Sequence, residues 1–353
     1  MTPLSDIKSP LVSIIIVNFN GHEVIENCLN SVLNTNSTKF EVIVVDNGST
    51  DSSIKFLQNF ADKSSVRVKL IKNPKNLGFA EGNNLGIGNS SGKYIAFLNN
   101  DTIVDPNWLQ SIVTFLEKDK QTGAVQSLLL AEDGFKVDSL GGVIDIFGTA
   151  EDRVVSMGNL RTPHSEIEEI FSACAASMVV RKSVLEEVGN FDPKFFAYYE
   201  DVDLCWRIRL RGYAIVLDLN SVVYHIRYAT SKKFGGQLFN FHLYKNQLAM
   251  LIKNYELKSL VKVMPGLLLL YTFRIINGLI KNNANLSIAA LKALYWNLKE
   301  FPYLSQERRY IQTYVRRICD EQIQKMMDKK PKHLSLHRGV AFHKLSYYLR
   351  LRS

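Results

Sequence analysis

The sequence predicts an α/β fold, an open and mostly parallel sheet flanked by helices, followed by a helical extension. Three observations carry this. Short apolar runs rich in Val and Ile recur between Leu11 and Leu98, separated by helix or turn signals. Several of these runs end abruptly in polar residues, as strands do when they deliver side chains to a sheet edge. From about Asn240 the pattern becomes helical throughout, with Leu, Ile and Tyr interleaved with Lys and Arg.

Leu11–Phe19 is a near-continuous apolar run, as expected of a buried parallel strand. Asn20-Gly21 turns the chain, and Val24, Leu29, Val32 and Leu33 form a helical stripe. Val42–Val45 is the second strand, ending at Asp46, and Ser49-Thr50-Asp51 can cap a helix over Ile54–Phe60. Val66–Ile71 is the third strand, a short helix follows around Ala80–Gly86, and Tyr94–Leu98 is the fourth strand. A helix over 105–118 begins at Asp105-Pro106. Residues 131–170, with scattered Gly, read as a variable loop or hairpin region. Ala175–Val180 is a strand, Lys182–Val188 a helix, and 201–211 a helix closed by Gly212. Tyr213–Leu217 and Ser221–Tyr224 read as two late strands.

The chain has 353 residues, 46% hydrophobic and 22% charged, an ordinary globular composition with room for two domains. Its net charge of +9 is uneven. Residues 241–353 hold 20 Lys and Arg against 6 Asp and Glu, while residues 1–240 hold 23 against 28. The expected division is therefore an acidic α/β domain over 1–240 and a basic helical extension over 241–353. Cys28, Cys174, Cys205 and Cys319 lack paired spacing, so neither a zinc site nor a disulfide framework is indicated. The N-terminus has no apolar signal core, and a cytoplasmic location is expected. Val263–Ile280 is apolar but interrupted by Pro265, Gly266, Arg274 and Gly278, so it fits an amphipathic helix on an anionic membrane surface better than a span. A homodimer interface is the other use for such a helix.

Four polar clusters carry chemistry. Asp46-Asn47-Gly48-Ser49 could bond a ribose and base, or simply cap a helix. Asn76 to Gly86 offers amides and glycines that either admit a flat base or mark a Gly-rich loop. Gly86-Ile87-Gly88 with Gly92 is no dinucleotide fingerprint, because the strand Tyr94–Leu98 follows rather than precedes it, and Gly92-Lys93 is no P-loop, because Ile87 stands where the first glycine is required and Tyr94 where Ser or Thr should bind magnesium. Asn99-Asn100-Asp101 is the candidate cation site, since Mg²⁺ or Mn²⁺ binds through one or two carboxylates plus phosphate oxygens. Glu200-Asp201 follows the aromatic loop Phe195, Phe196, Tyr198, Tyr199, which suits sugar binding beside a desolvated carboxylate. Asp203 lies four residues before Arg207 and is expected in an exposed ion pair.

In order, these pieces resemble the family 2 inverting glycosyltransferases of GT-A fold, within them the rhamnosyltransferase-like branch of cell-surface polysaccharide assembly. The matching segments are Val17 to Gly21, Val44 to Asp51, Asn76 to Gly86, Phe97 to Thr102 and Tyr199 to Arg207, closed by His225 and Ser231. The resemblance implies a GT-A nucleotide-diphospho-sugar transferase fold, an open mixed sheet, with Mg²⁺ or Mn²⁺ held by Asp101 and His225. It implies Asp201 as the base that deprotonates an acceptor hydroxyl, with Glu200 beside it. The donor nucleotide would meet Asn18, Asp46, Asn47, Ser49, Gly78, Asn83, Asn84, Asn99 and Asn100, and the acceptor would meet Phe196, Tyr198, Tyr199 and Trp206. Two positions depart from the pattern. Asn99 stands where a first metal Asp is usual, and Ala175-Ala176-Ser177 stands where Gly-Ala-Cys is frequent.

The implied activity moves one sugar, rhamnose by preference, from a nucleoside-diphosphate sugar to a lipid-linked or glycan acceptor at the cytoplasmic face of the membrane. No Gln-x-x-Arg-Trp occurs, which argues against processive synthesis. The rival readings are a nucleotide-sugar binding protein and a sugar nucleotidyltransferase, though the latter needs an early Gly-rich phosphate loop and residues 17–24 offer only Gly21. The basic tail carries no motif that reads nucleic acid, so no nucleic-acid partner is expected.

Overall fold

The computed structural model describes residues 11–36, 39–64, 66–154, 166–227 and 236–328. Ser231 and residues 329–353 of the basic extension lie outside them. The chain divides into two compact units, residues 1–141 with 152–230, and residues 142–151 with 231–353. The short segment 142–151 thus belongs with the C-terminal helices.

The first unit opens with β1 (Val12–Asn18), α1 (Ile25–Leu33), β2 (Phe40–Asp46), α2 (Ser53–Lys63), β3 (Val68–Lys72), α3 (Gly78–Gly88) and β4 (Tyr94–Asn99). These four strands lie parallel in the order β3-β2-β1-β4. Ile14, Ile15 and Ile16 of β1 are wholly buried, as a strand covered on both faces requires. The order in which strands are added reverses at β1, which has β2 on one side and β4 on the other. That is a topological switch point, where open α/β sheets form a crevice at the strand ends.

Beyond β4 the sheet becomes mixed. β5 (Thr102–Val104), α4 (Trp108–Lys118), β6 (Thr122–Ala131), β7 (Val137–Ser139), β10 (Ile167–Glu169), β11 (Ser177–Arg181), α5 (Lys182–Val188), α6 (Glu200–Arg211) and β12 (Ala214–His225) follow in sequence. Between β7 and β10 lie β8 (Gly142–Ile144) and β9 (Ala150–Asp152), which pair with each other. The main sheet runs β10-β12-β6-β11-β4-β1-β2-β3, with β11 antiparallel to both β4 and β6. The mostly parallel, helix-flanked sheet read from the sequence is present.

Several local expectations need correction. β6 is absent from the expected elements: Gly123 to Leu130 is wholly buried, but Gln126 and Ser127 interrupt its apolar pattern. The two late strands are one, β12, with a register shift between Asp218 and Val222 that accommodates the polar residues between them. The helix expected from 105 starts at Trp108, and Asp105 instead accepts the Asn107 amide at 2.8 Å. Gly78, Gly82 and Gly86 lie in a helix rather than a loop; Gly78 meets Phe196, and the other two meet β1. They form one face of α3, and a Cβ on Gly82 would stand 2.9 Å from Val17 while one on Gly86 would collide with Ile15. The glycines let the helix lie directly on β1.

The Asp203–Arg207 pair is not exposed. Its side chains are 0% and 5% accessible, with Nε 3.1 Å from Oδ2. The remaining Arg207 N–H groups donate to the carbonyls of Val188, Gly189 and Asn190 at 2.7–2.9 Å. The pair fastens the end of α5 to α6, and those carbonyls replace the water that a buried guanidinium loses.

The second unit contains α7 (Gly236–Asn254), α8 (Leu257–Ile280), α9 (Ala284–Lys299), α10 (Phe301–Tyr310) and α11 (Asp320–Lys325). Its helices hold residues 146–147, with Tyr255 donating to the Ile146 carbonyl and Gln247 to that of Phe147, each at 2.8 Å. Pro265 and Gly266 do not break α8, which is the one helix among the described residues long and apolar enough to cross a membrane by length and composition.

Candidate functional site

Polar residues from β1, β2, β4, β12 and the N-terminus of α6 meet at the switch-point edge. Asn18, at the end of β1, organises the donor side. Its Nδ2 lies 3.1 Å from Asp46 Oδ1, 3.2 Å from Ser49 Oγ and 3.0 Å from Ser53 Oγ, and its Oδ1 accepts from Asn100 at 2.9 Å. A side chain at Gly21 would collide with both Asn18 and Asn100, so the turn after β1 needs that glycine. Asp46 is buried and also accepts the Ser49 amide at 3.1 Å. A carboxylate has about four acceptor positions, so capacity for a ligand remains.

Other expected donor residues are occupied by the fold itself. Asn47 donates to Asn76 and the Gly78 carbonyl, and accepts from Asn73 and the Leu77 amide. With all four hydrogen-bonding positions used, it shapes the 73–78 loop rather than a ligand. Asn83 is buried and donates to the Phe79 carbonyl within its own helix. Asn84 grips Phe191 through both its amide N–H and its carbonyl, at 2.9 and 3.1 Å. Gly78 is buried under Phe196, whose ring stands 2.5 Å from where a Cβ would sit. Its amide is taken by Asn76.

The cation end is built by strand pairing. His225 registers opposite Thr102, and the Ile226 amide donates to the Asp101 carbonyl at 2.9 Å. This sets His225 Nε2 3.3 Å from Asp101 Oδ1 and 3.4 Å from Asn99 Nδ2. Nδ1 stands 2.8 Å from Asp138 Oδ2, and Arg227 bonds the other oxygen of Asp138. Burial alone would lower the imidazole pKa, but the two carboxylates outweigh it and push it up to about 9.

This donor set fits a divalent cation. Two ligand atoms bound side by side on one octahedral ion lie about 3 Å apart, and Asp101 Oδ1 and His225 Nε2 are 3.3 Å apart. A carboxylate on the far nitrogen of a ligating histidine is the usual support. Among the described residues no cluster of three or more His, Cys, Asp or Glu could hold a metal. Two protein ligands leave positions for phosphate oxygens and water, as Mg²⁺ prefers.

The base candidate enters from the other side of the same edge. Asp201 lies in the first turn of α6, its Oδ2 accepting the Ala175 amide at 3.2 Å. The next carbonyl, Ala176 O, accepts the Asn99 amide at 3.1 Å, so the approaches to Asp101 and Asp201 share two adjacent residues. Burial and the nearby charge of Asp152 outweigh the hydrogen bonds to Asp201 and push its pKa up to about 6. Ahead of it, Phe196, Tyr198 and Tyr199 adopt φ of 65°, 69° and 68°, each partly exposed. Left-handed non-glycine residues cost roughly 1–3 kcal/mol each and gather at functional sites. Glu200 is buried beside them, and the burial of Tyr198, with a smaller part from the Glu200 charge, raises that phenol to about 12.

Trp206 is removed from the acceptor set. It is 0% accessible and packs edge-on against Phe171 at 5.9 Å. Its place on the inward face of α6 follows from helical spacing, which turns position 206 away from the face that presents Asp201.

The family model for glycosyl transferase family 2 matches residues 13–189, half of the chain, a span that includes Asp101. The chain belongs to glycosyl transferase family 2. This family 2 chain is similar to an uncharacterized glycosyltransferase of Haemophilus influenzae, 39% identical over 120 residues, 34% of this chain and 37% of the relative. It is 31% identical to the glycosyltransferase AglE of Haloferax volcanii over 212 residues, 58% of this chain and 64% of the relative. It is 29% identical to the O-antigen biosynthesis protein RfbC of Myxococcus xanthus over 225 residues, 62% of this chain and 17% of that one. Each match spans less than two thirds of the relative's length.

Solved structures share the GT-A architecture at low identity. The mannosyltransferase PcManGT from Pyrobaculum calidifontis, in complex with GDP-Man and Mn²⁺, superposes with a TM-score of 0.53 at 15% identity, over 90% of this chain and 84% of that one. S. aureus TarS 1–349 in complex with UDP-GlcNAc gives 0.55 at 15% identity, over 90% and 93%.

Sequence reasoning missed three charged residues of this family 2 site: Asp138, Asp152 and Arg227. Asp138 and Asp152 fall within the stretch read as a variable region, and no spacing or periodicity there distinguishes them from surface residues. Arg227, two positions after His225, was the one within reach of the motif.

Proposed function

We propose that the chain transfers a single sugar, with inversion, from a nucleoside-diphosphate sugar to a hydroxyl of a lipid-linked or glycan acceptor in cell-surface polysaccharide synthesis. The observation that carries this is the shared edge: Asp201, bound to the Ala175 amide, and Asp101, following Asn99 on the Ala176 carbonyl. Asp201 takes the proton of the acceptor hydroxyl, and its pKa of about 6 leaves it ionised yet basic near neutrality. The aromatic side chains of Phe196, Tyr198 and Tyr199 orient the acceptor over it. Asn18 and Asp46 meet the nucleoside. Asp101 and His225 hold Mg²⁺ or Mn²⁺, which when bound neutralises the departing diphosphate. One base suffices for inversion, whereas retention needs a positioned nucleophile as well.

Relatives solved with GDP-Man and Mn²⁺ or with UDP-GlcNAc support this donor class. dTDP-rhamnose is the preferred donor by sequence resemblance. A thermal-shift panel of nucleotide sugars with Mn²⁺ tests the reading, since a ligand present at 100 times its Kd stabilises by about 2.7 kcal/mol. A panel in which no nucleotide sugar moves the melting temperature would remove it, and dTDP-rhamnose moving it less than the others would remove that donor alone.

The same reading places the second unit on an anionic membrane surface, at the cytoplasmic face, where a lipid-linked acceptor resides. Along α8 the solvent-facing side carries Leu268, Leu269, Phe273, Ile276 and Ile280, with Lys258, Lys262 and Lys281 exposed at its two ends. An apolar stripe between basic ends suits a bilayer interface, where each nearby Lys adds about 1 kcal/mol. Flotation of the full chain with anionic liposomes should fail once Leu268, Leu269 and Phe273 become Ser. A wild-type protein that stays in solution sinks the membrane assignment.

A further inference from the structure

Asp138 has no role in the reading above, yet both of its oxygens are anchored beside His225. It sits at the centre of β7, which takes up the edge of β6 at Leu129 and Leu130, while β12 pairs on β6 as far as Ala131 opposite His225. Both of its oxygens are engaged, one by His225 Nδ1 at 2.8 Å and the other by Arg227. A buried carboxylate with two charge-assisted partners is a fixed point.

We infer that Asp138 is the positioning residue of the cation site: by accepting Nδ1–H it fixes the His225 ring so that the Nε2 lone pair and Asp101 Oδ1 face one common space. This rests on the reading of Asp101 and His225 as metal ligands. Two physical effects follow. When a cation takes the place of the Nε2 proton, the carboxylate keeps the remaining proton on Nδ1, and it raises the basicity of Nε2. Arg227 occupies the second oxygen and so keeps Asp138 behind the histidine rather than letting it swing forward as a third ligand. The alternative, a plain Asp138–Arg227 ion pair fastening β7 to the chain after β12, predicts lost stability without any change at the metal.

The experiment is a Mn²⁺ titration of the full chain followed by EPR of the free ion, with pulsed EPR of the bound ion for its imidazole ¹⁴N coupling. Losses on the order of 10–100-fold in metal affinity are typical when such a support is removed. Asp138→Asn should lower Mn²⁺ affinity by about that factor and weaken the nitrogen coupling. Asp138→Glu should restore part of both. Asp101→Ala and His225→Gln serve as controls that remove ligands outright. If wild type and Asp101→Ala bind Mn²⁺ alike, the cation site is misassigned and the inference falls with it. If Asp101→Ala loses binding while Asp138→Asn keeps wild-type affinity and coupling, only the positioning role is wrong. Should Asp138→Asn fail to fold, Arg227→Gln decides: with Asp138 no longer held from behind, the inference expects weaker Mn²⁺ binding and an altered His225 nitrogen coupling, and wild-type values for both overturn it.

Discussion

Oδ2 of Asp201 accepts the backbone amide of Ala175 at 3.2 Å. This one hydrogen bond ties the first turn of α6 to the chain entering β11, which in turn pairs with β4 on the way to Asp101. The carboxylate is thereby held in place by a group that cannot take its proton. Side-chain partners would compete for that proton, whereas a backbone donor only orients the base.

Asp201→Asn keeps the acceptor oxygen for Ala175 and removes the base. Turnover should fall by about 10²–10⁴-fold while nucleoside diphosphate affinity changes little. Steady-state kinetics and calorimetric titration separate the two effects, and near-normal turnover would exclude Asp201 as the base.

The same variant should be more stable than wild type at neutral pH. The folded-state pKa of Asp201 is raised from 3.8 to about 6, so the native protein binds that proton more tightly than the unfolded chain does. Ionised Asp201 therefore destabilises the fold above about pH 6, and the penalty vanishes as pH falls toward the unfolded value. The upper bound for a shift of this size is about 3 kcal/mol. Urea melts at pH 7.5 should favour Asp201→Asn, with the two proteins converging near pH 4. An Asn variant less stable at every pH contradicts the proposed origin of the shift.

Activity should fall along an acid limb near pH 6, where Asp201 becomes protonated. Burial is the main cause and Asp152 contributes by repulsion, so Asp152→Asn should move that limb to lower pH. A limb unmoved in Asp152→Asn would assign it to another group.

Asp101→Ala should weaken Mn²⁺-dependent binding of a nucleoside diphosphate and leave the metal-independent component intact. Titrations with and without Mn²⁺ measure the difference. Equal binding by both proteins moves the metal elsewhere.

Asp203→Ala leaves the Arg207 guanidinium buried among three carbonyls without its carboxylate. Removing one partner of a buried pair costs about 3–5 kcal/mol. Denaturant melts should show that loss, and donor affinity in the remaining folded protein should be unchanged. A loss below 1 kcal/mol would mean the three carbonyls alone suffice.

The sequence by itself determined the parallel half of the sheet, because strands buried on both faces must be continuous apolar runs. β1, β2 and β4 are such runs, and each ends in the Asn or Asp that marks the sheet edge. Asp101 and Asp201 stand out through local features, a strand end and an aromatic loop before a helix, whereas only the family resemblance singles out His225. Tertiary structure decided the rest. Asn47, Asn84 and Trp206 looked like ligand residues by position, yet hydrogen-bond saturation and burial assign them to the scaffold, and neither property is written in a neighbour's identity. Asp138 reaches His225 only because β7 and β12 flank one strand, a pairing between residues 87 apart in the chain. Local pattern fixes what a strand is; long-range pairing fixes which charges meet.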